Sequence, residues 1–484
     1  MSSLAARRRP VGWMTPEAVA RAVGGRVIRT GHAASGVSVD SRKSCEGALF
    51  VALAGPNHDG HDHVAEAVAK GARGLLVSRP LGGLPRERPG GNGPAPFVVS
   101  VEDTGAALVG LAAEHRQRHR ARVVGITGSC GKTTTKDWLG AVLSAAMPTV
   151  KSPASFNNRV GVPLTLFKIE SQTRAAVVEI GTSAPGEIER LTRAARPDVA
   201  VVTCVAPAHL SGLGSLEGVA REKASLPFGV ARNGLFVLNA DDASCRAMAA
   251  GVEAEVQTVA LDRDADWFAT DVRFHALGTS FRLRGTTPVT LPRLGTHNVY
   301  NALFVIAVAA WFGVPEDVVL AELARVPAAS RRLEPKVSAG VTVFDDTYNM
   351  NPRSAQAGLL ALAGMPGTGR RIAVFGEMLE LGERSAELHR DLGAAARDLG
   401  MDVLICVGEG SWPIADGALA AGMPAARIHR CRDGASALDL LSSIARTGDR
   451  ILCKASRRVE LDRVVDAFLA VRGRSSRELL AGGS

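Results

Sequence analysis

Cysteines are few in this chain, and they follow no metal-binding or redox spacing. The 484 residues include 7 cysteines, an odd number, and none form a Cys-x-x-Cys motif. Disulfide frameworks and structural zinc sites both depend on regularly spaced cysteines, so the sequence disfavours both. Unpaired thiols are typical of a reducing compartment, and we expect a cytoplasmic protein.

Long apolar runs and dense basic segments are also missing. The longest apolar stretch, residues 302–314, is too short to span a bilayer and predicts a buried helix. The basic N-terminus has no apolar segment after it, so we expect no signal peptide. Lys and Arg exceed Asp and Glu by 57 − 48 = 9, but no basic block with interleaved aromatics appears. We therefore expect neither membrane insertion nor a nucleic-acid partner, and we attribute the excess to anionic small molecules.

The length of the chain predicts about three domains. Within the first hundred residues, "TPEAVARAVGG" (15–25) has the start and stop signals of a helix, and 47–55 and 71–79 are apolar enough for buried strands. Residues 80–96 are rich in Pro and Gly and predict a loop. These patterns predict a small α/β domain over residues 1–103.

Apolar strands then alternate with helices over 104–328, and the alternation restarts over 329–484. This pattern is typical of mostly parallel sheets with helices on their faces. The last region contains no G-x-G-x-x-G, so we predict no dinucleotide site there. The predicted fold is α/β in three domains: a small first domain, a central P-loop-type ATPase domain and a C-terminal Rossmann-like domain.

A glycine-rich segment, "GITGSCGKTTTK" (125–136), follows the apolar run "ARVV". A strand that ends in such a turn and opens a helix presents free backbone N–H groups and the positive end of a helix dipole. Lys132 adds a charge for the β- and γ-phosphates, and Thr133 adds a hydroxyl for Mg²⁺. Ile126 stands where the strict P-loop spacing requires Gly. The predicted cradle for a nucleoside triphosphate consists of Gly128, Ser129, Gly131, Lys132, Thr133 and Thr134.

One carboxylate is a candidate for holding the metal. Glu179 ends the apolar strand of "RAAVVEIGTS". At the carboxyl end of a strand beside a phosphate loop, it can reach Mg²⁺ directly or through water. From spacing alone, a solvated loop carboxylate is an equally good interpretation.

Seven ordered motifs resemble those of the Mur ligase family. Specifically, they resemble the MurF type, which joins D-alanyl-D-alanine to UDP-N-acetylmuramoyl-tripeptide in peptidoglycan synthesis. The motifs are "GITGSCGKTTTK", "SFNNRVGVPLTL", "VVEIGTSAPGEI", "APAHLSGLGSLEGVAREK", "LGTHNVYNAL", "DDTYNMNP" and "VFGEMLELGE". The resemblance implies three domains that bind the UDP-substrate, ATP and the incoming amine in turn. It also implies an acyl-phosphate mechanism. We expect the protein to be a monomer with no nucleic-acid partner.

The same resemblance implies roles for the residues that would hold two Mg²⁺ ions. Thr133 and Glu179 resemble the ligands of the first ion, and His209 resembles a ligand of the second. Lys223 resembles the lysine that the family carbamylates with CO₂, which converts an ammonium into a metal-binding anion. With Lys132, these side chains would form the catalytic set.

Further residues resemble the family's nucleotide and substrate contacts. His297, Asn298 and Asn301 would pack on the adenine, Arg332 would reach the γ-phosphate and Asp346 would lie near the ribose. The neighbouring Arg331 leaves the register of that arginine open. The expected contacts to the UDP-substrate or the active site are Ser41, Arg42, Asp59, Gly60, His61, Asn157, Asn158, Tyr348, Asn349 and Asn351.

Because these contacts are divided between the second and third domains, we expect the third domain to close on binding, around a hinge near 326–330. Cys130 and Ala455 depart from the residues usual in the family. "NPRS" (351–354) resembles the sequence by which MurE reads diaminopimelate, but we interpret it as the MurF-type turn because it opens the third domain.

Two other functions stay open. One is a different ligase of the superfamily, of the MurE or folylpolyglutamate type. The other is a P-loop ATPase that acts on a macromolecule. The sequence does not distinguish diaminopimelate from lysine in the tripeptide, nor D-Ala-D-Ala from D-Ala-D-Lac or D-Ala-D-Ser.

Overall fold

The computed structural model describes residues 12–83, 94–275, 278–326 and 330–481. Most of the predicted 80–96 loop and residues 327–329 of the predicted hinge lie outside this part. The chain divides into two compact units. Unit 1 contains residues up to 125 with 147–181 and 189–198, and unit 2 contains 126–146, 182–188 and 199 onward. The three predicted domain boundaries remain predictions.

Unit 1 begins with a five-stranded sheet in the part of it that is described. Its strand order is β1-β5-β4-β3-β2, parallel except for the β1–β5 pair. The elements are α1 (Pro16–Val23), β1 (Arg26–Arg29), β2 (Val37–Ser38), β3 (Leu49–Val51), α2 (Val64–Ala69), β4 (Gly74–Val77), β5 (Phe97–Ser100) and α3 (Thr104–Gln117). The signals predicted for α1 are present, since Thr15 caps its start and the left-handed Gly24 ends it.

The strand β6 (Arg122–Thr127) passes from unit 1 into unit 2 and leads to α4 (Lys132–Ala146). Unit 1 then adds β7 (Thr149–Lys151), α5 (Gly161–Leu166) and β8 (Ala175–Glu179), and α6 (Glu187–Ala195) begins in unit 2. β7 and β8 pair in parallel. All five residues of β8 are buried, which places Glu179 at the buried end of this strand.

Unit 2 continues with a run of strands in the order β9-β10-β11-β12-β13-β14. The pairs from β9 to β12 are parallel, and β12 to β14 form an antiparallel meander. The elements are β9 (Val199–Val202), α7 (Leu210–Leu213), α8 (Leu216–Ala224), β10 (Leu235–Asn239), α9 (Ala243–Ala247), β11 (Glu255–Ala260), β12 (Trp267–His275), β13 (Gly278–Leu283), β14 (Thr287–Leu291), α10 (Thr296–Trp311) and α11 (Glu316–Leu323).

The remaining elements form a second sheet of unit 2, in the order β15-β16-β20-β17-β18-β19. Only the β15–β16 pair is antiparallel among its described pairs. The elements are β15 (Glu334–Ser338), β16 (Val341–Asp345), α12 (Pro352–Ala363), β17 (Arg371–Phe375), α13 (Ser385–Asp398), β18 (Val403–Val407), α14 (Trp412–Ala420), β19 (Ile428–Cys431), α15 (Gly434–Ile444), β20 (Arg450–Lys454) and α16 (Asp462–Ala481).

The apolar stretch 302–314 forms most of α10, and every residue from Ala302 to Ala309 is buried, as predicted. In the part of the chain that the structure describes, no helix combines the length and the apolarity needed to cross a bilayer. The mixed α/β architecture with mostly parallel strands agrees with the predicted fold class.

Candidate active site

The turn between β6 and α4 has a backbone shape that requires glycine. Gly128 has φ +145°, and a Cβ atom there would lie 1.9 Å from the Thr203 hydroxyl. Gly131 has φ +85°, and its Cβ would lie 2.6 Å from Asn301 Oδ1. Lys132, the first residue of α4, folds back so that Nζ donates to the Gly128 carbonyl at 2.6 Å. Because a helix leaves its first N–H groups without intrahelical partners, this turn can hold an anion.

The end of β9 supports this turn from beneath. Ser129 N donates to the Cys204 carbonyl at 2.8 Å, and Ser129 Oγ donates to the Ala206 carbonyl at 2.9 Å. Cys130 N lies 3.3 Å from Cys204 Sγ, and the Thr203 hydroxyl donates to the Cys130 carbonyl. The strand end therefore fixes the loop in position.

Asn301 fastens α10 to α4, and Asn298 holds the Asn301 side chain. Thr135 Oγ1 donates to Asn301 Oδ1 at 3.1 Å, and Asn301 Nδ2 donates to Asn298 Oδ1 at 3.1 Å. Burial lowers the pKa of His297 to about 4, with a smaller contribution from the charge of Lys454. His297 is therefore neutral, and its buried Nδ1 has no partner among the described residues. Of the three residues predicted near the adenine, only His297 has a buried polar side-chain atom without a hydrogen-bond partner in the described part of the chain.

The structure brings together three predicted residues of the catalytic set, Lys132, His209 and Lys223. Lys223 lies on α8 and is 2% exposed. Burial, together with the smaller effect of the Lys132 charge, lowers its pKa to about 7. The pKa of His209 is lowered by burial first, then by Lys132, with a small contribution from Lys223. These electrostatic influences mean that the three side chains share one site.

A carboxylate sets the orientation of the His209 ring, and a second carboxylate, which is buried, adjoins Lys223 in the sequence. His209 precedes α7 with φ +56°, and its Nδ1 is 2.5 Å from Glu380 Oε2, so that Nε2 is the ring nitrogen left for a ligand. Next to Lys223, Glu222 accepts from Gly186 N and Ile188 N at 2.7 Å each. Glu380 belongs to the motif "VFGEMLELGE", but its role was not predicted, because the pairing joins residues 171 positions apart.

The two arginines at 331 and 332 point to different partners. Arg332 donates to Thr133 Oγ1 at 3.1 Å, and its guanidinium lies 4.0 Å from the centre of the Tyr348 ring. Arg331 instead pairs with Asp462 and with Asp466, the latter at 3.0 Å. Arg332 is therefore the arginine that faces the phosphate loop.

The turn after β16 contains Asp346 and Asn349, two more of the residues predicted to contact the nucleotide or the active site. Burial raises the pKa of Asp346, and the charge of Lys454 opposes this, its Nζ lying 2.7 Å from Asp346 Oδ2. Lys454 also donates to the Asn349 carbonyl at 3.0 Å. Lys454 was not among the predicted site residues. Its position at the end of the buried strand β20 could have indicated a charged group with an internal partner.

Asn351 contacts the phosphate loop while capping α12. Its side chain accepts from Ser354 N in a capping box, accepts from Cys130 Sγ at 3.2 Å and donates to the Ser129 carbonyl at 3.3 Å. Arg353 donates to Asp242 at 2.5 Å and to the Val205 carbonyl at 3.2 Å. The segment "NPRS" thus forms the cap and first residues of α12, and its interpretation as a MurF-type turn stays a prediction.

In unit 1, the residues predicted to bind uridine diphosphate have mostly internal partners. Ser41 Oγ donates to Glu66 at 2.7 Å. His61, next to Gly60, lies with Nδ1 2.6 Å from Asp59 and accepts from Ser78 N at 2.9 Å. Arg42 pairs with Asp40 and keeps 85% of its side chain exposed. Arg42 is thus the residue of this set with a charge open to a ligand.

Glu179, also in unit 1, has one oxygen satisfied and one free. Its Oε1 accepts from Asn157 Nδ2 at 2.8 Å. Its Oε2 is buried and has no hydrogen-bond partner among the described residues. A buried carboxylate oxygen without a partner is unfavourable, and a cation would satisfy it. Asn158 Oδ1 instead accepts from Val160 N and Gly161 N.

Within the described ranges, no three His, Cys, Asp or Glu side chains cluster as a metal site. The predicted donors are a hydroxyl, a carboxylate, an imidazole and a modified lysine. Mg²⁺ at a nucleotide site usually takes only one or two protein oxygens, and phosphates and waters supply the rest. Each of two predicted donors, the free Glu179 Oε2 and the Thr133 hydroxyl, therefore has the chemistry of a Mg²⁺ ligand.

Three family models match the chain. Their descriptions are Mur ligase family, catalytic domain, over residues 33–116; Mur ligase middle domain, over 126–309; and Mur ligase, glutamate ligase domain, over 331–457. A UDP-N-acetylmuramoyl-tripeptide–D-alanyl-D-alanine ligase from Bacillus subtilis is 34% identical over 432 residues, which are 89% of this chain and 92% of that protein.

Solved structures of MurF proteins match over nearly the whole chain. MurF from Acinetobacter baumannii gives a TM-score of 0.85 at 28% identity, covering 94% of this chain and 98% of that one. MurF ligase from Thermotoga maritima, in complex with ADP, gives a TM-score of 0.79 at 28% identity, covering 91% and 98%. The chain therefore belongs to the Mur ligase family.

Proposed function

We propose that this chain joins D-alanyl-D-alanine to a UDP-N-acetylmuramoyl-tripeptide, with conversion of ATP to ADP and phosphate, in peptidoglycan precursor synthesis. The observation that carries this proposal is the group formed by Lys132, His209 and Lys223 at a glycine-requiring loop, with Arg332 on Thr133. The name of the Bacillus subtilis relative supplies the substrates, and the ADP bound to the Thermotoga maritima neighbour supports the nucleotide.

The reaction has two steps. The terminal carboxylate of the tripeptide attacks the γ-phosphorus of ATP, and the bond to ADP breaks as the acyl phosphate forms. The amine of the dipeptide then attacks the acyl carbon, an amide bond forms and phosphate leaves. A carboxylate and a triphosphate repel each other, so the site must supply positive charge. Lys132, on the Gly128 carbonyl, and Arg332, on Thr133 Oγ1, supply it at the loop.

We assign the two Mg²⁺ ions to four residues. Thr133 and Glu179 would hold the first ion, and His209 with carbamylated Lys223 would hold the second. When bound, the ions would neutralise phosphate charge. Glu380 would fix the His209 ring through Nδ1 so that Nε2 can act as ligand, an arrangement common around metal-binding histidines.

Carbamylation of Lys223 is supported by its surroundings. CO₂ reacts with the neutral amine, and a lysine with its usual pKa is almost wholly protonated at neutral pH. Burial of Lys223 and the nearby charge of Lys132 lower the pKa to about 7, so that much of the amine is neutral. The same burial would make a permanent ammonium unfavourable beside a metal ion.

Product analysis tests the proposed function. With ATP, Mg²⁺, UDP-N-acetylmuramoyl-tripeptide and D-Ala-D-Ala, mass spectrometry should show the UDP-pentapeptide and one ADP for each product. Separate reactions with diaminopimelate- or lysine-containing tripeptides would define the acceptor. Product from UDP-dipeptide and a single amino acid would identify a MurE-type enzyme. ATP turnover that responds to nucleic acid and ignores the dipeptide would overturn the proposal.

The arginine pair gives a second prediction. Arg332→Ala should lower kcat by up to about 10²-fold, because it removes a positive group directed at the phosphate loop. Arg331→Ala is the matched control: it should keep kcat within about twofold and lower the free energy of unfolding by about 1 kcal/mol through loss of its ion pairs. Steady-state kinetics and urea unfolding of both variants would check this, and the opposite pattern would reverse the assignment.

We further propose that the protein acts in the cytoplasm as a monomer. Its substrates are soluble nucleotides and peptides, and the described part of the chain has no membrane-spanning helix. Sedimentation velocity with both substrates present should give a single species at the mass of one chain.

A further inference from the structure

Two of the seven cysteines meet at the phosphate loop. Cys130 lies within the loop and is partly exposed, and Cys204 lies just after β9 and is buried. Cys130 N is 3.3 Å from Cys204 Sγ, and Cys204 Sγ is 3.8 Å from the Cys130 carbonyl. The backbones are also joined, since Ser129 N donates to the Cys204 carbonyl. The two residues, 74 positions apart, are therefore held side by side.

The surroundings make one of these thiols acidic. The neighbouring Cys130 thiol, whose own pKa is raised within the pair, lowers the pKa of Cys204 to about 6, and the charge of Arg353 contributes in the same direction. Burial raises the pKa of Cys245, Cys406, Cys431 and Cys453. A thiolate is the reactive form of cysteine, and the lowered pKa of Cys204 favours this form, whereas burial disfavours it at the other four thiols.

We propose that Cys130 and Cys204 form a reversible disulfide under oxidation by hydroperoxides, and that this disulfide switches off nucleotide binding at the loop. A cytoplasmic protein seldom keeps a permanent disulfide, and pairs that do form there are usually transient and redox-sensing. The cross-link itself is independent of the proposed ligase activity; only its effect on turnover rests on that proposed function.

One hydroperoxide molecule oxidises the two thiols to the disulfide. The Cys204 thiolate attacks the terminal peroxide oxygen, the S–O bond forms, the O–O bond breaks and an alcohol, or water from hydrogen peroxide, leaves after taking up a proton. The Cys130 sulfur then attacks the sulfenic sulfur of Cys204, the S–S bond forms and water leaves. Two thiols lose two electrons in total, and the peroxide gains them. A dithiol reverses the reaction by exchange.

Loss of nucleotide binding follows from what Cys130 contacts in the reduced state. Its Sγ donates to Asn351 Oδ1, the residue that caps α12 and also donates to the Ser129 carbonyl. A sulfur bonded to Cys204 has no proton to donate, so Asn351 loses one of its two contacts to the loop. The loop is also tied to the end of β9 and cannot adjust around a triphosphate.

Peptide mapping and calorimetry test the proposal on the full-length protein. The reduced protein is treated with hydrogen peroxide and quenched with an alkylating agent. In a sample taken before alkylation, intact mass should fall by about 2 Da, the mass of two hydrogens. Tryptic mapping should find Cys130 joined to Cys204. The number of ADP-binding sites per chain, measured by calorimetry, should fall in proportion to the cross-linked fraction and return with dithiothreitol. ADP bound before the oxidant should slow the cross-link.

Variants separate this pair from general oxidation. Cys204→Ser and Cys130→Ser should each prevent the loss of about 2 Da, whereas Cys406→Ala, which removes a buried thiol of β18, should still form the cross-link. The proposal is overturned if peroxide leaves Cys130 and Cys204 unlinked in the wild type, or if the linked protein binds ADP as tightly as the reduced protein. Neither measurement requires the ligase substrates, so failure of the proposed function would be seen separately.

Discussion

Lys132→Ala should reduce the rate of UDP-pentapeptide formation by on the order of 10²–10³-fold or more, with the fold retained. Lys132 is the first residue of α4, and its Nζ lies over the loop at 2.6 Å from the Gly128 carbonyl. In that position its charge can stabilise the transferring phosphoryl group, which carries more negative charge on its oxygens as the reaction proceeds. The loss should therefore appear mainly in kcat.

Lys168→Ala is the matched control for this experiment. Lys168 is an exposed lysine after α5, and its removal should leave kcat within about twofold of the wild type. Single-turnover kinetics and far-ultraviolet circular dichroism should be recorded for both variants. A folded Lys132→Ala protein with normal turnover would remove this lysine from the mechanism.

The Lys132→Ala variant also distinguishes two effects of the Lys132 charge, one directly on the phosphoryl group and one on the pKa of Lys223. Lys132 lowers the pKa of both Lys223 and His209. Removing it should let the pKa of Lys223 rise, so that less of its amine is neutral at pH 7. Partial recovery of Lys132→Ala at higher pH would indicate this indirect effect, whereas uniform loss across pH would indicate direct stabilisation of the phosphoryl group.

Features that depend on neighbouring residues in the chain could be predicted well. The Thr15 cap, Pro16 and Gly24 identify α1, because capping and termination are local properties. The buried helix α10 follows from its unbroken apolar sequence. The phosphate loop could also be located, because a strand, a glycine-rich turn and a lysine at a helix start are consecutive in the sequence.

Features that depend on distant pairs could not be predicted. The choice between Arg331 and Arg332 is decided by Thr133 on one side and by Asp462 and Asp466 on the other. The residues next to Arg331 and Arg332 in the sequence do not indicate which of these distant side chains each arginine contacts. For the same reason the antiparallel pairing of β15, the meander from β12 to β14 and the contact of Lys454 with Asp346 emerged only from the folded chain.

The burial of Lys223 shows this limit most clearly. On α8 the sequence places it between Glu222 and Ala224, a pattern equally typical of a solvated helix face. In the fold, Glu222 is buried and accepts from two backbone amides, and Lys223 is buried beside it. Two adjacent helix residues of opposite charge are thus both internal, and the resemblance, rather than the helix pattern, indicated a function for the lysine.

Lys223→Ala should be nearly inactive, and a small carboxylic acid should restore part of the activity. If Lys223 works as its carbamate, the substitution removes an anion that would hold the second Mg²⁺ near His209. Metal stabilisation of this kind contributes several kcal/mol, so the rate should fall by roughly 10²–10³-fold. Acetate or formate can enter the vacated position and supply a carboxylate there. Lys223→Glu should recover less activity than Lys223→Ala with added acid, because the shorter glutamate side chain does not reach the metal position.

The control for this prediction is Arg221→Ala, since Arg221 lies on the exposed face of the same helix. It should keep wild-type kcat and show no response to acetate. Rates should be measured at fixed ionic strength with chloride replacing acetate in the reference series, so that salt effects cancel. Intact-mass analysis of the wild type, prepared with and without bicarbonate, should also show a bicarbonate-dependent addition of CO₂ that is absent from Lys223→Ala. If Lys223→Ala keeps the wild-type rate without any added acid, Lys223 is a structural helix residue and the second metal position must be formed by other groups.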